Sequence, residues 1–112
     1  MTEQIARAPS TVVVQQIQAE KICSHMKSSP YKNILCGDFN NTAHSYTYQI
    51  ISREMKDSFR QAGNGFGRTF DFDYFPLRID FILADSSFEI ISHKTFPVKY
   101  SDHVPISSTI KY

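Results

Sequence analysis

Three strand-length segments follow one another in the last third of this chain: 78–84 (RIDFILA), 88–96 (FEIISHKTF) and 105–112 (PISSTIKY). Short runs of β-branched and aromatic residues between turn residues read as strands. Their succession commits this part of the chain to a sheet. A fourth run, 32–37, is short, apolar and closed by Gly37, and it reads as a buried strand. Residues 10–29 (STVVVQQIQAEKICSHMKSS) read as an amphipathic helix. Its apolar stripe is Val13, Val14, Ile17 and Ile22, continuing weakly to Met26, with Pro9 and Ser10 as start signals and Pro30 as the stop.

Residues 1–9 read as a disordered or linking tail, which leaves 10–112 as the folded unit. After a loop, Ser45 is a candidate cap for a short helix with Tyr48, Ile51 and Met55 on one side. Residues 56–63 (KDSFRQAG) read as a further helical turn closed by Gly63. Segment 63–77 carries three of the four glycines and reads as a loop or lid, with a short strand at Thr69 and Phe70. The order of helix, strand, helix, loop and strands predicts an α+β or α/β architecture, a mixed sheet with helices on one face.

At 112 residues the chain is one domain by size, and 41% hydrophobic residues suffice for a core. A net charge of +1 carries no general electrostatic signature of nucleic-acid binding. Two cysteines, Cys23 and Cys36, make no disulfide framework and no metal-ligand spacing. Cys36, inside an apolar run, is expected as a buried free thiol. No apolar run is long enough to span a bilayer.

The chemistry concentrates at three places. Asp38 and Asn40 (GDFN) stand where the first strand ends, the edge at which open α/β sheets bind ligands. An acid there can hold a hard cation or accept a proton from water, and an amide can orient an oxygen. The bland reading is a turn that closes the strand. Asp80 lies within an otherwise apolar strand, so its charge needs a partner. Arg78 would make that a structural ion pair; a histidine would make it functional. Asp102 and His103 (SDHVP) supply the histidine. His103 could act as a general base near neutral pH, with Asp80 orienting its ring. Asp102 could bind a metal. His25, His44 and His93 read as bland.

Taken in order, GDFN, RIDFIL and SDHVP resemble the endonuclease/exonuclease/phosphatase superfamily, the deoxyribonuclease I-like metal-dependent phosphoesterases. The resemblance runs from Ser10 to Tyr112 and covers the C-terminal half of that domain. It implies half of a four-layer sandwich. It implies catalytic roles for Asp38, which positions the water, for Asn40, which contacts the phosphate, and for the pair Asp80 and His103. Asp102 would lie near the metal, which would be Mg²⁺ or Mn²⁺, held weakly by this chain alone. The substrate would be a phosphate ester, a nucleic acid or a small phosphoester. The family's metal-ligand glutamate has no counterpart here: Glu20 lies in the helix before GDFN and Glu3 in the tail. The resemblance therefore implies a missing N-terminal half as partner, little turnover by the chain alone, and homodimerisation through the exposed sheet face. The competing reading is a non-catalytic module for binding or assembly.

Overall fold

The structure, a computed structural model, describes residues 7–72, 75–98 and 100–112. Its elements in chain order are α1 (Arg7–Ser28), β1 (Ile34–Asp38), α2 (Tyr46–Ile51), β2 (Met55–Asp57), α3 (Ser58–Ala62), β3 (Phe70–Phe72), β4 (Phe75–Leu77), β5 (Asp80–Asp85), β6 (Glu89–Thr95) and β7 (Ile106–Lys111). The three C-terminal strands stand where the sequence places them. The chain combines helices with antiparallel sheets: β1-β5-β2 forms a three-stranded sheet, and β3-β4 and β6-β7 form two hairpins.

The core forms where α1 and α2 lie on the sheet. Ala19, Tyr48, Ile51, Phe81 and Leu83 are buried together, and Cys23, Met26 and Leu35 pack against them. The Phe81 ring sits 4.8 Å from that of Phe39 and 4.9 Å from that of Tyr48. Phe81 and Leu83 alternate on strand β5, so one face of the strand carries both into the core. Full burial of each contributes about 1.5–3 kcal/mol.

The expected stripe on α1 is not the buried one: Val13, Val14 and Ile17 are about half exposed, and the core face is Ala19, Cys23 and Met26. These repeat at helical spacing, and the small Ala19 lets the helix lie close to the bulky Phe81 and Tyr48. The helix also begins at Arg7 rather than Ser10, with Pro9 in its first turn, where the missing N–H has no intrahelical partner to lose; residues 1–6 of the expected tail lie outside the described residues. Strand β1 is not buried. Among the described residues it pairs only with β5, and Ile34, Cys36 and Asp38 are exposed. Cys36 is free, as expected, but at the surface. The short helix after Ser45 stops at Ile51, and Met55 opens the edge strand β2 instead of closing a helical face.

The caps hold as the sequence suggests. The Ser45 hydroxyl accepts the Tyr48 N–H at 3.1 Å. Gly63 caps α3, and the Asp57 carboxylate starts it by accepting the Phe59 N–H at 3.0 Å. Segment 63–77, expected as a loop or lid with one short strand at Thr69 and Phe70, is a loop followed by two paired strands, β3 and β4. Gly67 in that loop has φ of 70° and lies so close to the Phe59 ring that a Cβ would collide with it.

Candidate active site

Strands β1 and β5 run antiparallel in a register that sets Asp38 directly opposite Asp80. Two like charges in that position destabilise a sheet unless something positive sits between them. His103 does. Its Nδ1 lies 2.8 Å from Asp80 Oδ2, and its Nε2 lies 3.6 Å from Asp38 Oδ2. The ring thus faces both carboxylates. The short contact assigns the Nδ1 proton to the Asp80 hydrogen bond, and Nε2 remains as the chemically available nitrogen. The Asp80 hydrogen bond raises the pKa of His103, burial opposes this, and the charges of Asp80, Asp38 and Asp102 add to the rise.

Local structure fixes each member. The Asp38 carboxylate accepts the Asn40 N–H at 2.8 Å, so the bland turn does exist. It coexists with the cluster, because Oδ1 serves the turn while Oδ2 faces His103. Asn40 adopts the left-handed conformation, φ 53°, which asparagine tolerates. The His103 N–H donates to the Ser101 hydroxyl at 2.9 Å, and the Phe70 ring packs 4.9 Å from the imidazole.

Asp38, Asp80 and His103 offer ligand atoms that all lie within 4.8 Å of one another, a group able to hold a metal ion. The donor set fits a hard divalent cation: two facing carboxylates supply oxygen ligands and a local excess of negative charge. Asp102 and Asn40 are exposed and stand beside this group rather than in it. Of the five residues singled out from the sequence, the structure gathers the side chains of three into one cluster.

Arg78 goes elsewhere. Its guanidinium reaches both carboxylate oxygens of Asp57, at 3.1 and 2.8 Å, and lies 4.7 Å from the centre of the Phe81 ring and 4.8 Å from that of Phe59. The Tyr48 hydroxyl donates to the same carboxylate at 2.7 Å. Asp80 is thereby left for the histidine.

A second histidine cluster escaped sequence reasoning. Ser58, fully buried, lies 2.7 Å from both His93 Nδ1 and the Ser108 hydroxyl, and Ser108 donates to the Ser92 carbonyl at 3.0 Å. Each hydroxyl has one proton. Ser108 gives its own to Ser92 and Ser58 gives its own to Ser108, so His93 Nδ1 donates to Ser58. Burial lowers the His93 pKa. No local signal in the sequence marks these residues, because they meet only through the packing of α3 on the β6-β7 hairpin.

With this geometry in place, comparison with known proteins decides the family. The model of the endonuclease/exonuclease/phosphatase family matches residues 6–103. The chain belongs to this family. Among solved structures, it is similar to an endonuclease/exonuclease/phosphatase from Bacteroides vulgatus, at 27% identity and a TM-score of 0.72, covering 87% of this chain and 43% of that one. It is also similar to a mannosyl-6-phosphatase from Bacteroides thetaiotaomicron, at 23% identity and a TM-score of 0.64, covering 88% and 44%. A conserved protein of unknown function from Enterococcus faecalis shares the fold at 18% identity and a TM-score of 0.74, covering 88% and 44%. No curated protein matches. The chain therefore spans less than half the length of the structures it resembles, and it is a partial endonuclease/exonuclease/phosphatase domain of the deoxyribonuclease I-like fold.

Proposed function

We propose that this chain supplies one half of the site of a metal-dependent phosphoesterase, a phosphodiesterase, nuclease or phosphatase. The observation that carries this reading is His103 facing both Asp38 and Asp80, at the end of a sheet where β1, among the described residues, pairs only with β5. Asp38 positions the attacking water. Asp80 holds His103 in one tautomer and stabilises its imidazolium, and Nε2 exchanges a proton with the reacting oxygens. The Asn40 amide faces the phosphate, and Asp102 adds negative charge on the metal side. Asp38 and Asp80 would hold Mg²⁺ or Mn²⁺, which would neutralise charge on the phosphoryl oxygens when bound.

The partner in this reading is a complementary half-domain. Half-exposed Val13, Val14, Ile17 and Ile34 on α1 and β1 give it an apolar surface to cover. Without it the chain is expected to self-associate, which sedimentation reads directly.

Hydrolysis of a nitrophenyl phosphodiester and monoester, with Mg²⁺ and with chelator, tests the reading. The chain alone turns over little. Each missing ~1.4 kcal/mol of transition-state stabilisation is tenfold in rate, and in this reading a metal-ligand glutamate and the opposing wall come from the other half. Adding the unmatched half of a structural relative raises turnover in the presence of Mg²⁺, and Asp38→Asn or His103→Gln abolishes the rise. A rise that survives both substitutions contradicts the proposal and favours a module for binding or assembly.

A further inference from the structure

Thr69 is buried, with 1% of its surface exposed, and lies outside the cluster of acids and histidine. Its hydroxyl oxygen accepts two consecutive backbone N–H groups, from Ile79 at 3.0 Å and Asp80 at 3.1 Å. Its own N–H donates to the Leu77 carbonyl at 2.8 Å, and its carbonyl accepts the Val104 N–H at 2.7 Å. One residue therefore ties the start of β5 to the segment that carries His103. The tie extends to the third member of the cluster, because the Ile79 carbonyl accepts the Phe39 N–H at 2.8 Å, one residue after Asp38.

The geometry of the acid–histidine contact needs such a tie. His103 and Asp80 come from separate segments, and their side chains are partly exposed. A hydrogen bond between exposed groups competes with water and has little net strength of its own to hold two segments in place. Thr69 supplies the missing constraint from the buried side: it fixes the backbone at Asp80 through its side chain and the backbone next to His103 through its carbonyl. Strand pairing alone does not explain why the oxygen of a side chain, and this side chain, takes both amides. Serine or threonine is required there; valine has the shape and lacks the acceptor.

We propose that Thr69 is a positioning residue that sets the distance between Asp80 and His103. It acts through backbone hydrogen bonds and touches neither side chain's reacting atoms. The distance that Thr69 sets is the same whichever phosphoester the site takes.

The test is nuclear magnetic resonance on the chain itself, with no turnover required. In the unsubstituted chain, the Ile79, Asp80 and Val104 amides are expected to be protected from hydrogen exchange. The His103 Nδ1 proton is expected as a separate downfield signal coupled to one tautomer. Thr69→Ser keeps this signal. Thr69→Val loses it, or shows exchange of the Nδ1 proton at least about tenfold faster, the equivalent of about 1.4 kcal/mol, while the signals of Ser58 and His93 in the distant network stay in place. Unprotected Ile79 and Asp80 amides in the unsubstituted chain overturn the proposal, and this measurement does not depend on the fate of any variant. So does a His103 signal that Thr69→Val leaves unchanged, or one that Thr69→Ser removes. Failure of the hydrolysis reading leaves these signals untouched, so the two can fail separately.

Discussion

Two acid–base clusters flank the start of β5, and they are built from similar residues to opposite ends. On one side Asp57 and Arg78 form a closed pair, with side chains 4% and 13% exposed. Tyr48, the Phe59 N–H and two aromatic faces complete it. On the other side Asp38 and His103 are each 37% exposed, Asp80 is 20% exposed, and two carboxylates share one imidazole. A closed pair specifies packing, because its charges have nowhere else to go. An open cluster with more negative charge than it neutralises is suited to take up something from outside.

The contrast predicts different responses to the loss of one acid. Removing Asp57 (Asp57→Ala) strands the buried Arg78 charge and removes the cap of α3, so stability should fall by about 3–5 kcal/mol in a urea titration. A loss below about 1 kcal/mol would mean that the buried pair is weaker than its closure implies. Asp38→Asn keeps the turn at Asn40 and relieves repulsion at Asp80, so stability should stay within about 0.5 kcal/mol.

The histidines separate the two sides by pH. Burial holds His93 below its ordinary pKa, with Arg78 adding to the shift and Asp57 opposing it. The unfolded chain then binds a proton that the folded one resists, so this group removes stability as pH falls below 6.5 and is silent above it. Denaturant titrations across that range should show a steeper acid loss in the unsubstituted chain than in His93→Gln. Equal slopes would place His93 in a more solvated setting than the Ser58 contact implies.

The two sides also differ in how much of them the sequence carries. The open cluster was legible because its members sit in short motifs at strand ends: GDFN, RID and SDH name the residues that meet. Asp80 finding His103 rather than Arg78 was one of two open outcomes, decided by Arg78 turning inward to Asp57. The closed side was illegible. Asp57 reads locally as part of a helical turn, and its partners come from α2 and the segment before β5, a matter of packing. The α1 stripe shows the same limit. Val13, Val14 and Ile17 have apolar side chains at helical spacing, but spacing alone does not say which face meets the sheet, and small Ala19 does. Likewise the run at β1 is apolar yet exposed, because burial depends on which elements pack on a strand, and among the described residues β1 pairs only with β5.

The central claim is the proposed one, that Asp38 and Asp80, facing one another beside His103, take a divalent cation. Titration with Mn²⁺, followed by paramagnetic broadening of the amide and imidazole resonances, tests it most directly. The account predicts early, selective broadening of Asp38, Asp80, Asp102 and His103, displaced by Mg²⁺ and lost in Asp38→Asn, with Asp57 and His93 unaffected. Broadening spread evenly over the surface acids, or unchanged by Asp38→Asn, would contradict it.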